Sequence, residues 1–200
     1  MPIAIPSTTV QGIDTDKNGY YITGTAPTAG MTIPTTANTF AAGCIIVNTA
    51  DGTQWVNNGT AAAPVWSGSG TKTVSLSAAN LIAMYATPVV VVAPIAGFNI
   101  VVDSVDFDIT RTATAFTGGG VVAVQYAATA NGAGTATTAT IAATVVTGAA
   151  GRTVTARIPV VLSDVATASI TGIGLYISNQ TAAFAAGTGT ATVTVKYHLV

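Results

Sequence analysis

Three aspartates hold most of the reactive chemistry this chain could offer. Asp103, Asp106 and Asp108 fall in one stretch, VVDSVDFDIT. Residues two apart on a strand point to the same side, so Asp106 and Asp108 share a face about 7 Å apart. Two carboxylates so placed can hold a cation or serve glycoside hydrolysis. The plainer reading is a solvated face neutralised by Arg111, Arg152 or Arg157. Asp103 falls in register with the apolar residues of the stretch, so burying it would call for an arginine partner.

The rest of the reactive inventory is thin. His198 is the one histidine and Cys44 the one cysteine. A Ser–His–Asp triad would draw on His198, but the chain has no G-x-S-x-G elbow. One Cys and one His cannot assemble a metal cluster. Cys44 beside Ile45 and Ile46 reads as a small buried hydrophobe, not a reactive thiol. Gly118-Gly119-Gly120 lacks the Lys-Ser/Thr that completes a phosphate loop. Asp14, Asp16 and Asn18 copy the opening of a calcium loop, yet Thr25 stands where the bidentate Glu belongs. An Asx-rich turn accounts for them. No catalytic residue, cofactor or firm metal site follows from these patterns.

Charged residues make up 6% of the 200 and the net charge is −1, where an ordinary soluble domain carries roughly 25% charged residues. Half the residues are hydrophobic, so the composition is not that of a disordered chain. A nearly uncharged surface resists aggregation poorly on a free monomer. A subunit covered by its neighbours tolerates it. There is no basic patch to meet phosphates, which argues against nucleic acid. The apolar run PVVVVAPIAGFNIVV is too short to span a membrane and is interrupted by Pro94 and Gly97, so it reads as buried strands. MPIAIPSTT has neither a basic n-region nor an apolar h-region. A single cysteine rules out an intrachain disulfide and fits a reducing compartment.

The elements that would position these residues are almost all strands. The chain reads as all-β: an extended N-terminal arm over 1–39, a small β-hairpin unit over 40–66, a linker over 67–72, and an antiparallel jelly-roll-like β-sandwich over 73–200 with one short helix. Pro2, Pro6, Pro27 and Pro34 keep the arm from forming a long helix. In the hairpin unit, Cys44 to Val47 and Gln54 to Val56 pair across Asp51-Gly52, and Asn58-Gly59 turns the chain again. Trp55 and Trp66, the only tryptophans, suggest a miniature core; the alternative is a sugar-binding platform. With Tyr20 and Tyr21 they are the candidate interaction residues. Ser67-Gly68-Ser69-Gly70 has linker composition.

Ser77 predicts an N-cap for a helix over 78–84, with Leu81, Ile82 and Tyr85 able to face inward, ended by Thr87-Pro88. Strands are predicted over 89–92, 99–110, 121–128, 139–147, 153–162, 170–178 and 189–199. The last is the clearest: Ala191, Val193, Val195, Tyr197 and Leu199 oppose Thr190, Thr192, Thr194, Lys196 and His198. Pro159 marks its strand as an edge or a bulge.

Two stretches resemble structural proteins of tailed bacteriophages. One is residues 40–66, with the pattern GCIIVNTADGTQWVNNGT…PVW. The other is SLSAANLIAMYATPV followed by VVDSVDF. Together they cover about a third of the chain, and they are similar to capsid decoration or head-fibre proteins with a jelly-roll domain. The resemblance implies a non-enzymatic homotrimer on the outer capsid surface of a virion, made in the host cytoplasm. Its partners would be the major capsid protein, or another virion protein, and further copies of itself. Neither nucleic acid nor membrane is implied. The alternatives are a tail-fibre or receptor-binding module for a host glycan, and a virion glycosidase using Asp106 and Asp108.

Overall fold

The apolar residues of VVDSVDFDIT alternate along a strand, and one buried strand face demands a second layer to cover it. The computed structural model describes residues 21–24, 42–48, 53–60, 62–63, 65–158 and 170–200, which form twelve strands and two short helices. Of the arm expected over 1–39, only 21–24 fall among them, and Pro159 lies outside them. The chain divides into two units. One takes in the described residues up to Thr71 together with His198–Val200, and the other runs from Lys72 to Tyr197.

In the first unit the spatial order is β1 (Tyr21–Gly24), β2 (Ile45–Asn48), β3 (Gln54–Asn57) and the opening of β4 (Trp66–Ser77). β2, β3 and β4 pair antiparallel, while β1 lies parallel to β2. Residues 67–70, expected as a flexible linker, are strand. The physical reason lies at Gly68, which pairs opposite Trp55. A Cβ there would come within 2.8 Å of both the Trp55 ring and the Leu199 side chain. The small residues serve packing here, not flexibility.

In the second unit, β4 is followed by helix α1 (Ala78–Ala83), β5 (Val89–Val92), β6 (Ile100–Arg111), β7 (Thr117–Gly118) and β8 (Val122–Tyr126). Helix α2 (Ala143–Thr147), β9 (Arg152–Ile158), β10 (Leu175–Asn179), β11 (Phe184–Ala185) and β12 (Gly189–Leu199) complete it. One sheet has the order β4-β12-β6-β9, the other β5-β10-β8, with β7 and β11 as a separate pair. Ala136 and Ile141 bridge to Gln125 and Val122, which extends the second sheet past β8. With the β7–β11 pair set aside and the bridged stretch 136–141 counted as one position, one sheet runs first-eighth-third-sixth and the other second-seventh-fourth-fifth. That is the jelly-roll order, in which the chain crosses between sheets at nearly every connection. The all-β reading and its single sandwich are borne out.

Buried side chains on both inner faces close the core. Val105, Phe107 and Ile109 of β6 and Val193 and Val195 of β12 are fully buried, as are Val122 and Val124 of β8 and Leu175 and Ile177 of β10. Tyr126 on β8 donates its hydroxyl to the Ile100 carbonyl on β6 at 2.7 Å, tying one sheet to the other. Burial pushes the Tyr126 phenol above its ordinary pKa, so it stays a donor.

Ser77 caps α1 as a capping box: its hydroxyl accepts from the Asn80 amide, and the Asn80 side chain accepts from the Ser77 amide. Leu81 and Met84, three apart, make the buried stripe. Ile82 and Tyr85, expected inward, are only half-buried.

Three further expectations change. Asp103 is exposed, because the inward set of β6 shifts phase between Val102 and Val105. The slip keeps a carboxylate in water that strict alternation would bury. Residues 139–147 are a bridge at Ile141 followed by α2, not a strand. Their Val and Thr favour strands only where a pleated neighbour receives them, and here Val146 is buried from a helix. The strand predicted over 170–178 begins only at Leu175, after a turn.

Arg111 holds α2 in place. It lies on the inward parity of β6 and is 3% exposed. Its guanidinium donates to the Ala149 carbonyl at 2.9 Å and to the Val145 carbonyl. Arg111→Met keeps the bulk but leaves those carbonyls without a donor. We expect a loss of roughly 3 kcal/mol, since hydrogen bonds from charged donors contribute about 1.5–3 kcal/mol each. Urea unfolding should show it as a lower midpoint at unchanged slope, whereas exposed Arg152→Met should shift the midpoint within error.

Candidate functional site

The carboxylates sit on the outward face of the β4-β12-β6-β9 sheet. The β6–β9 register sets Asp106 opposite Arg157, Asp108 opposite Thr155 and Thr110 opposite Thr153. The Arg157 guanidinium forks onto both oxygens of Asp106, at 2.7 and 3.2 Å. That hydrogen bond, with help from the positive charges of Arg157 and Lys196, holds the Asp106 carboxyl below its ordinary pKa. A glycosidase acid needs the opposite shift, so that it carries a proton at neutral pH. Asp108 is half-buried, and its Oδ1 has no hydrogen-bond partner. Of the arginines named in the sequence, Arg157 is the one that neutralises this face, while Arg111 is turned inward.

Hydroxyls share this face with the ion pair. Thr73 and Thr194 are hydrogen-bonded across β4 and β12 at 3.0 Å. Thr110 and Thr153 do the same across β6 and β9 at 3.0 Å. Thr73 and Ser75 on β4, Thr190 on β12, and Thr153 and Thr155 on β9 are exposed. The face is thus a ruled surface of short polar side chains, several of which satisfy one another across strands. It offers hydrogen bonds and methyl groups but little net charge.

The aromatic candidates fall elsewhere. Trp55 is 2% exposed and belongs to the core of its own unit, so it offers no open platform. Trp66 is half-buried. It pairs with Asn57 while Trp55 pairs with Gly68, which puts both indoles on one face at diagonal positions. Asn57 shapes the adjoining turn, its side-chain oxygen accepting from the amides of Gly59 at 3.0 Å and Val65 at 2.9 Å. Tyr21 opens β1 opposite Ile45. Tyr20, Asp14, Asp16 and Asn18 lie outside the described residues. Among the described residues no group of three or more His, Cys, Asp or Glu side chains could hold a metal.

Cys44 is buried, and burial raises its thiol pKa, which disfavours the reactive thiolate. His198 is half-buried near the end of β12. Reading the sequence missed three buried polar side chains. Arg111 had a signal, since it continues the parity of Val105, Phe107 and Ile109. Gln125 is fully buried in β8 and donates to the carbonyls of Ala127 and Thr129, at 3.1 and 2.8 Å. Asn179 extends the inward parity of Leu175 and Ile177, and both its amide atoms lack a partner.

No protein-family model matches this chain, and no curated protein or solved structure matches it either.

The Asp106–Arg157 pair has a defined pH signature. Asp106 has a depressed pKa in the folded chain. Its contribution is therefore complete above the unfolded carboxylate value of about 3.9 and is lost as pH falls through the folded value. Asp106→Asn should leave midpoint stability near pH 7 almost unchanged, because exposed pairs contribute little. It should flatten the fall in stability below pH 4 relative to the parent chain. An NMR titration placing the Asp106 carboxyl at or above an ordinary aspartate would contradict the pairing.

Proposed function

We propose that this chain is a non-enzymatic virion structural protein, a capsid decoration protein of the cement or head-fibre kind. It binds the surface of a phage head as an oligomer and stabilises or decorates it. The observation that carries the reading is the outward sheet face. Thr73 with Thr194 and Thr110 with Thr153 pair their hydroxyls across strands, and both partners of the Asp106–Arg157 ion pair belong to the sheet. Covering a charge already paired in this way costs less than covering a bare one, so the desolvation cost of docking is low. The resemblance of residues 40–66, and of SLSAANLIAMYATPV with the later VVDSVDF, to phage decoration and head-fibre proteins supports it. So does the jelly-roll order, a fold that recurs in viral capsids, although that analogy concerns fold alone.

The second reading, a tail-fibre or receptor-binding module for host glycan, draws on Trp66. It loses half of its platform because Trp55 is buried.

The test is to mix the purified chain with phage heads assembled from the major capsid protein encoded in the same genome. Co-sedimentation at saturating stoichiometry, with density for a jelly roll on the outer surface by imaging, is the expected result. A chain that stays monomeric in the supernatant, while binding glycans on an array, reverses the order of the two readings.

A further inference from the structure

β1 pairs in parallel with β2, whereas the other registered strand pairs among the described residues are antiparallel. It is four residues long and lies outermost, beyond β2. Twenty residues, 25–44, connect Gly24 to Ile45. A chain leaving a parallel strand must travel back along its length before pairing again, a crossover usually carried by a helix packed on the sheet. The connecting sequence, TAPTAGMTIPTTANTFAAGC, contains Pro27, Gly30 and Pro34. Its composition supplies no amphipathic helix to secure a crossover.

Reach and bonding both permit another arrangement. Fully extended, such a connection spans about 66–72 Å. A compact chain of this length has a radius of gyration of only about 16 Å, so the β2 edge of an adjoining copy is within range. The ladder bonds are identical whether β1 pairs within its own chain or with another. Exchange therefore gives up no contact. In an oligomer the neighbouring edge is present at about millimolar effective concentration. The buried side chains described in the first unit are Cys44, Thr53, Trp55 and Asn57, with Leu199.

We propose that in the assembled protein β1 of one copy pairs in parallel with β2 of a second copy, so that the N-terminal strands tie the copies together by exchange. The partner is another copy of this chain, and the docking surface is the β2 edge, Ile45–Asn48. The proposal needs self-association alone and does not rest on a virion location.

Cysteine crosslinking tests it, because Thr23 and Val47 are register partners and neighbouring strands lie at a spacing a disulfide can bridge. All chains carry Cys44→Ala. Thr23→Cys and Val47→Cys are placed on separate chains with tags of different length, co-expressed and oxidised. The expected result is a mixed disulfide-linked species, several-fold more abundant than either same-variant dimer. The doubly substituted chain should then give linked multimers on a non-reducing gel. The proposal is overturned if the double variant closes within one chain, or if mixed and same-variant dimers form equally. It is also overturned if the thiols stay free in a folded oligomer. Tyr21→Cys with Ile45→Cys repeats the experiment at the other end of the ladder, so a folding defect at one pair does not decide the outcome.

Discussion

Nearly every polar demand of this chain must be met without ions. With 6% charged residues, the structure leans on hydroxyls, amides and backbone groups. Ser77 and Asn80 close the start of α1 between them, with no acidic residue in its first turn. Tyr126 bridges the sheets through a phenol and a carbonyl. Gln125 pins the 127–129 turn and takes a bond from Gln180 at 3.1 Å. Where a cation is buried, at Arg111, it donates to carbonyls near the end of α2. That end of a helix carries negative partial charge. The same reliance on neutral groups shapes the outer face, where threonine pairs stand beside the Asp106–Arg157 ion pair.

The constraint also governs the sheet edges. An open edge presents unpaired amides and carbonyls to any passing strand. β5 is four valines long with one side chain, Val90, 45% exposed. Its protection is brevity, with Pro88 before it and Pro94 shortly after. β9 lies outermost in its sheet and carries exposed Arg152 and Arg157, two of the six basic residues in the chain. Charge is thus placed where an edge would otherwise be sticky. The edge of β2 is protected differently, since it has neither a proline nor a charge between Ile45 and Asn48 and is covered by β1.

Much of this architecture was legible because strand periodicity survives in a Val/Thr alphabet. In β12 each inward residue from Ala191 to Leu199 is buried, as alternation requires. Ser77 marked a helix start correctly, and Asn80 completes the cap in the structure. What escaped were the places where tertiary packing overrides the local pattern. Strict alternation put Asp103 inside, and a phase slip in β6 put it outside. Gly68 read as slack, yet it is the residue on which an indole rests. Val145 and Val146 read as strand, yet they belong to α2, whose Val145 carbonyl accepts from the buried Arg111 of β6. The site was legible in composition, through Asp106 and a basic partner. The choice of Arg157 over Arg111 depended on the β6–β9 register, which the sequence does not display.

Among the described residues, Asn179 and Asp108 depart from this pattern of satisfied polar groups and sharpen its meaning. Asn179 points into the sandwich with neither amide atom bonded, and Asp108 keeps one buried oxygen without a partner. Each should cost on the order of 1–3 kcal/mol relative to a satisfied group. Asn179 closes the inward row that Leu175 and Ile177 begin, opposite Val122, where an apolar residue would pack without penalty. Asp108 faces the hydroxyl array opposite Thr155. A sheet that pairs its threonine hydroxyls on either side leaves an acceptor unfilled on its outward face. That oxygen is shielded from solvent, so its unmet demand falls on the stability of the folded chain.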